Sequence, residues 1–319
     1  ALMAAFPIFY AVIENDLRRV LAYSLNNQLG FMVVGVGIGT EMALNGTVSH
    51  AFCHILYKSL LFMSMGAVLL RTGTANGSDL GGLFKTMPWT TAFCIVGAAS
   101  ISGFPLFSGF ISKSMILTSV SDGGYWGVWL VLLFASAGVF HHSGIKIPYF
   151  AFFAHDQGLR PKEAPAPMLF AMGIIASLCF LIGIYPDILY SLLPYPVDYV
   201  PYTTAHVINQ LQLLMFSALA FAVLMVFKVY PAELRSTNID FDWIYRRGLH
   251  SLIISLGKSV NYTENLLFSA ASKSLRAMMA FIHLRFASFN KNAQTSTVGN
   301  ALVWVLALLL SLLVLAYSM

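Results

Sequence analysis

Apolar stretches of about 20 residues or more recur along this chain, and the charged residues gather in short strips between them. A segment of that length in hydrocarbon must satisfy its own backbone N–H and C=O groups, and a helix does so within itself. Of 319 residues, 58% are hydrophobic and 10% charged, with a mean hydropathy of +0.76. Ordinary globular chains carry roughly a quarter charged residues. The chain therefore reads as an all-α polytopic membrane protein. Helices are expected over 22–40, 47–70, 88–121, 126–154, 166–190, 206–229 and 300–319. The stretch 88–121 is long for one crossing and carries Ser102-Gly103-Phe104-Pro105 and then Gly109, which predicts a broken helix. Non-helical backbone at membrane depth is tolerated only where it is buried in protein or lines a wet cavity, and transporters put their sites at such breaks.

The basic residues divide by side. Arg18 and Arg19, Arg71 and Lys85, Arg160 and Lys162, and Lys228 fall in alternate connections, whereas 41–46, 120–125 and 187–205 contain no Lys or Arg. By the positive-inside rule the first set is cytoplasmic. The net charge of +5 is then explained by topology and lipid headgroups, and a nucleic-acid-binding face is not expected. Residues 231–299 interleave Arg246, Arg247, Lys258, Lys273, Arg276, Arg285 and Lys291 with aliphatic and aromatic residues. That pattern fits a basic amphipathic helix, lying either along the membrane surface or against a partner subunit. Cys53, Cys94 and Cys179 each stand alone in an apolar run, so neither a disulfide nor a zinc site is expected. The sequence starts within an apolar run without an initiating methionine or a signal-peptide pattern, so Ala1 to Ile13 is read as the tail of a longer membrane helix.

Function is sought in buried charge. Lys58, Lys113 and Lys146 lie deep in apolar helices, and no carboxylate of comparable depth is expected to pair with them. A lysine at mid-bilayer costs roughly 2.5–3.5 kcal/mol on insertion scales, so three of them point to an ion or proton route. His50, His54 and Lys58 are spaced i, i+4, i+8 and fall on one helix face. His141, His142 and Lys146 repeat the theme, with His142 and Lys146 on a shared face and Pro148 loosening the helix beside them, as a hydrated gate or a plain packing kink. A lone intramembrane histidine more often binds helices together. A histidine ladder ending on lysine favours proton carriage, since both groups can take and release protons once desolvated. His155, His206, His250 and His283 are read as surface residues. No cofactor is expected: the chain has no cysteine cluster and no strand-borne glycine-rich dinucleotide motif.

The stretch Asp16-Leu17-Arg18-Arg19-Val20-Leu21-Ala22-Tyr23-Ser24 with Asn27-Gln28-Leu29-Gly30 resembles the signature loop of the large antiporter-like subunits shared by Mrp cation/proton antiporters and respiratory complex I. His50 to Phe62 is similar to the next helix of that family, and Gly103-Phe104-Pro105, Ser108-Gly109-Phe110 and Ser112-Lys113 to its second broken helix. His141 to Phe153 and Asp240 to Arg247 resemble the D-type Mrp subunits in particular.

The resemblance implies the second of two inverted repeats. It assigns 1–21 to the tail of a truncated helix and a cytoplasmic loop, 22–154 to the repeat, 155–229 to additional transmembrane helices, 230–299 to the basic segment and 300–319 to a last transmembrane helix. It gives Lys58, Lys113, His50 and His54 places in a proton path, to which the residue pattern adds Lys146, His142 and His141. Gly103, Pro105 and Gly109 form the broken helix, and Arg18 becomes a gating contact that keeps its charge but does not carry protons. The expected function is a proton-translocating subunit of a multi-subunit monovalent cation (Na⁺)/proton antiporter, not itself an enzyme. The alternative is a proton-pumping membrane subunit of a complex I-like NADH-quinone oxidoreductase or related redox-driven complex. Expected partners are the other subunits, the lipid bilayer, protons and monovalent cations, with the basic loops on the cytoplasmic side of a bacterial inner membrane.

Overall fold

A computed structural model of the chain describes residues 1–231, 233–234, 238, 242–286 and 298–318, and among these the regular structure is entirely helical. The chain divides into two units, Ala1–Asn238 and Ile239–Met319.

In the first unit, α1 (Leu2–Ile13), α2 (Leu17–Ile38) and α3 (Glu41–Thr72) follow one another through short polar links. Their ends are set by capping. Asp16 accepts from the backbone N–H of Arg18 and Arg19 at the start of α2, and Thr40 accepts from that of Ala43 at the start of α3. Gly39 ends α2 in the left-handed conformation, so two residues suffice to reverse the chain. These caps explain why α2 and α3 begin about a turn before the expected 22 and 47: their polar first turns lie outside the apolar runs.

Next come α4 (Pro88–Ser102) and α5 (Ser108–Asp122), the two halves of the broken helix, and α6 (Trp126–Phe153). Then follow α7 (Ala166–Ile184), the single turn α8 (Asp187–Tyr190) and α9 (Thr204–Val226). The expected helix over 166–190 thus stops six residues early, because Pro186 disfavours helical backbone at Tyr185. Helix α3 is the central post. Cys53, Tyr57, Leu60, Leu61 and Met65 on it are inaccessible to solvent, as are Leu17 and Leu21 of α2, Ile101 of α4 and Ile111 of α5. Helices α7 and α9 bury only a stripe and turn apolar residues such as Phe170, Met215 and Phe216 outward, which is favourable against lipid.

Helices α3, α6, α7, α9 and α11 (Val298–Ser318) are long and apolar enough to cross a membrane, and the chain is a multi-pass membrane protein. In the second unit a π-wound turn, Ile244–Leu249, leads into α10 (His250–Phe286), about 55 Å of helix at 1.5 Å per residue. It carries Lys258, Lys273, Arg276 and Arg285 among exposed Leu, Phe and Met side chains. Lys291 and the Asp240-Phe241 part of the D-type stretch lie outside the described residues.

Candidate functional site

The break between α4 and α5 shows where the first lysine finds its partner. A helix ends with four carbonyls that lack intrahelical donors. For α4 these belong to Ala99, Ser100, Ile101 and Ser102, and each is satisfied. Gly103, in the left-handed conformation with φ 74°, returns its N–H to Ala99 and Ser100, and the N–H of Phe104 bonds Ala99. The Lys113 ammonium donates to Ile101 O at 2.8 Å, and Gln210 Nε2 of α9 donates to Ser102 O at 3.2 Å. Lys113 thus sits at the negative end of the α4 dipole, which offsets part of the cost of burying it. Its Nζ also lies 5.5 Å from the centre of the Phe31 ring. Gly109 permits the arrangement by proximity, since a Cβ there would stand 1.8 Å from Ser100 O.

On α3, His50, His54 and Lys58 follow one another on a single helix among further buried polar groups. His50 Nδ1 lies 3.1 Å from Ser112 Oγ, the residue before Lys113. Its Nε2 lies 3.4 Å from the hydroxyl of Tyr57, which donates to Gln28 Oε1 at 3.1 Å. The His50 and His54 rings stack 6.4 Å apart, and buried His54 Nε2 has no hydrogen-bond partner among the described residues. One turn on, the Lys58 ammonium donates to Leu21 O of α2 at 2.9 Å. Ser24, three residues along α2, accepts from Ser143 Oγ at 2.8 Å, and Ser143 Oγ lies 2.9 Å from His142 Nδ1. This seryl bridge links the α2–α3 layer to α6.

Helix α6 changes winding there. Residues Phe140–Lys146 and Tyr149–Phe153 are π-helical on either side of Ile147-Pro148, so the loosening expected at Pro148 is present as two wide turns. The first packs on the α4 break, where a Cβ on Gly144 would lie 2.4 Å from Ser102 Oγ. Lys146 is inaccessible to solvent and donates to three carbonyls, Ala11 O at 3.2 Å, Val12 O at 2.7 Å and Glu14 O at 2.6 Å. Glu233 Oε1 lies 2.9 Å from the same nitrogen. This corrects the expectation that no carboxylate meets the buried lysines. Glu233 belongs to a connection after α9, outside every apolar run, and returns to the end of α1. Apart from the ammonium, its carboxylate oxygens have no hydrogen-bond partner among the described residues. Burial pushes the Glu233 carboxyl above its usual range, and the Lys146 ammonium pulls it back down.

Lys58, Lys113, His50, His54 and His142 are thereby gathered on the facing sides of α2, α3, α5 and α6, with Tyr57, Gln28, Ser112, Ser24 and Ser143 among them, whereas Lys146 faces the end of α1. His141 stands aside. Both its ring nitrogens are buried and without a hydrogen-bond partner among the described residues, and its ring packs on Phe221 and Tyr230 at 5.1 and 5.4 Å, beside an apolar cavity of about 620 Å³ between α1, α6 and α9. Arg18 is exposed in the first turn of α2, apart from this chain of groups. His155, His250 and His283 are exposed, but His206 is half-buried, with Nδ1 2.6 Å from Pro201 O and its ring 4.4 Å from that of Phe110. Seryl and amide groups in apolar helices were the available signal for the bridging residues. Nothing in the spacing signals Glu233.

Residues 2–140 match the family model described as NADH:quinone oxidoreductase/Mrp antiporter, TM. The D-type component of the Na(+)/H(+) antiporter of Alkalihalophilus pseudofirmus is 36% identical over 142 residues, covering 42% of this chain and 29% of that protein. Hydrogenase-4 component B of Escherichia coli is 30% identical over 207 residues, covering 58% of this chain and 31% of that protein. The chain thus spans about a third or less of the length of these two relatives. A structure of the Mrp complex from Dietzia sp. superposes with a TM-score of 0.67 at 22% identity, over 99% of this chain and 33% of that one, and shares its fold. Over residues 2–140 the chain is thus similar to antiporter-type membrane subunits of the Mrp and complex I kind.

Proposed function

We propose that this antiporter-type subunit translocates protons within a multi-subunit Na⁺/H⁺ antiporter, along Lys113, His50, His54, Lys58, His142 and Lys146. The observation that carries the reading is that three buried lysines, each seated on a backbone carbonyl, share the helix bundle with two hydrogen-bonded groups, Ser112–His50–Tyr57–Gln28 and His142–Ser143–Ser24. Such a lysine holds its proton through donor bonds to neutral oxygens. When a neighbour's charge changes, Lys58 and Lys113 can release the proton to the ladder with no paired anion left behind, whereas Lys146 stands opposite the Glu233 carboxylate. Arg18 keeps its charge throughout and serves as a fixed contact at the α2 entrance. The likeness to the D-type component of a Na⁺/H⁺ antiporter supports the cation. A second reading, a proton pump driven by a redox partner, draws on the likeness to a hydrogenase component.

The test is proton-gradient collapse in everted vesicles carrying the full-length gene with its operon neighbours, on addition of Na⁺, K⁺ or Li⁺. A cation-dependent collapse that disappears in Lys113→Met, with the complex still assembled, is expected. Full activity in Lys113→Met overturns the lysine path. Proton pumping on adding a reduced electron donor, with no response to cations, moves the protein to the redox-driven reading.

A further inference from the structure

The break between α4 and α5 contains a strained turn. Leu106 lies there in the left-handed conformation, at φ 76°, where an L side chain crowds its own backbone, so its surroundings have to hold it in place. Its N–H donates to the Tyr202 hydroxyl at 3.2 Å, and that hydroxyl donates in turn to Gly183 O of α7. A Cβ on Gly183 would stand 2.3 Å from Leu106 O, so α7 also closes on this turn. Two further contacts come from the start of α9. The His206 ring lies nearly parallel to that of Phe110, 4.4 Å away with 16° between the planes, and Gln210 Nε2 donates to Ser102 O at 3.2 Å. His206 and Gln210 are one turn apart on α9, and Tyr202 stands just before its cap, Thr203, whose side chain accepts from the His206 N–H. His206 Nδ1 meets Pro201 O at 2.6 Å. A carbonyl only accepts, so that nitrogen carries hydrogen and the ring keeps its orientation whatever its charge. One short stretch of chain thus grips the break at Ser102, Leu106 and Phe110. Lys113 depends on that geometry, because its ammonium reaches from α5 across the break to Ile101 O, the carbonyl beside the one Gln210 holds.

We propose that Tyr202, His206 and Gln210 are positioning residues for Lys113: together they latch the strained turn at Leu106 and so keep the Ile101 carbonyl on the ammonium. Tyr202 supplies the acceptor that the Leu106 N–H needs in its left-handed conformation. Gln210 fixes the last carbonyl of α4, and His206 fixes the first turn of α5 through Phe110, so the two half-helices are held to a common third element. Without these contacts the turn is free to relax to extended backbone, and the two ends that Lys113 bridges part company. The latch accounts for the half-buried state of His206, which the sequence placed at a surface. The inference rests on the proton-path reading for its functional meaning, but the hold on the break is measurable without transport.

The experiment is hydrogen–deuterium exchange, read by mass spectrometry, on the full-length protein purified with its neighbours, beside gradient collapse measured as a function of pH. Tyr202→Phe keeps a ring 5.1 Å from that of Phe110 and removes only the hydroxyl. Exchange over Phe104–Ser108 should then quicken by about fivefold to tenfold, the effect of one lost hydrogen bond, with α3 and α7 unchanged. Tyr185→Phe, at an exposed tyrosine of the same connection, should change nothing. Gln210→Met and His206→Ala provide independent variants if Tyr202→Phe does not assemble. An acceptor that moves away from an ammonium favours the neutral amine, so all three should shift the alkaline limb of transport to lower pH, by up to about one unit. The titratable groups facing Lys113, namely His50 and His54 of α3 and His142 of α6, stay in place in every variant. A loss of stability alone lowers the amplitude and leaves the limb where it was. His206→Phe, which keeps a ring on Phe110, should retain the limb that His206→Ala shifts. Unchanged exchange over Phe104–Ser108 in Tyr202→Phe and Gln210→Met overturns the latch, and quickened exchange with an unmoved limb overturns its link to Lys113. Quickened exchange in a protein that moves no protons would fail the proton-path reading and leave the latch standing.

Discussion

At the scale of single residues, the three lysines show how buried charge is tolerated without a carboxylate beside each one. Lys58, Lys113 and Lys146 donate to carbonyls of Leu21, Ile101 and the α1 terminus, and among the described residues only Lys146 also meets an acid. The lysines and histidines were legible because charge and imidazole stand out against apolar sequence at helical spacing. Their partners were not, since a backbone carbonyl has no letter in the sequence and Glu233 comes from a polar connection that folds back. Tyr57 had no role of its own in the sequence, where it stands only within the His50 to Phe62 stretch. Its hydroxyl links Gln28 to His50, both fully buried. Replacing it with phenylalanine keeps the ring and strands two buried polar groups, at a cost of about 1–3 kcal/mol. Tyr57→Phe should lower the melting temperature of the purified complex and slow the proposed proton transport, while Tyr10→Phe, on a stacked ring pair, provides the comparison for losing a hydroxyl elsewhere. A Tyr57→Phe protein with unchanged melting and rate would remove the hydroxyl from the relay.

At the scale of elements, the break between α4 and α5 was legible from Gly103, Pro105 and Gly109, because few residues other than glycine and proline interrupt a helix. The π winding of α6 was legible only as an expected loosening at Pro148. Whether such loosening becomes a kink or a wide turn depends on what packs against it, here the end of α4. The close approach at Gly109 yields a sharp expectation. A Cβ would meet the Ser100 carbonyl oxygen at 1.8 Å, so Gly109→Ala must move backbone, and overpacking of this kind costs about 1–3 kcal/mol. Gly37 near the end of α2 has open space around its Cβ position, so Gly37→Ala should be neutral or gain up to about 1 kcal/mol from helix propensity. Thermal unfolding of the two variants in detergent compares them directly. The connection after α6 adds a pH dependence. The Asp156 carboxylate accepts from Arg160 at 2.6 and 2.8 Å and from Lys85 at 2.8 Å. The Arg160 guanidinium, then Lys85, hold it well below the usual carboxylate range. A depressed acid contributes its stability above the ordinary value near 3.9 and loses it progressively as pH falls below. Asp156→Asn should therefore flatten the acid limb of the stability profile below about pH 4 and leave the alkaline limb unchanged.

At the scale of the whole molecule, the sequence pattern carries an expectation about sidedness that helix packing alone cannot supply. The connection around Glu41 has no basic residue, whereas the connection of Asp156 to Lys162 has two, and the positive-inside rule assigns the latter to the cytoplasm. Between them lie α3, the broken pair α4–α5 and α6, an odd number of crossings if the broken pair counts once. Opposite sidedness of the two connections follows from that count, independently of charge. The chain is well suited to a direct test, because Cys53, Cys94 and Cys179 are free thiols with no solvent-accessible surface and provide little labelling background. Exposed Glu41 and Gln157 can each be replaced singly by cysteine. An impermeant maleimide should label Glu41→Cys from outside intact cells and Gln157→Cys only in inverted vesicles. Labelling of both from one side would mean that α4 and α5 cross separately, placing the Lys113–Ile101 contact at a helix hairpin near one surface instead of a break at depth. The proton path would then have to be redrawn with Lys113 as an entrance, while Lys58 and its ladder on the continuous helix α3 would keep their place.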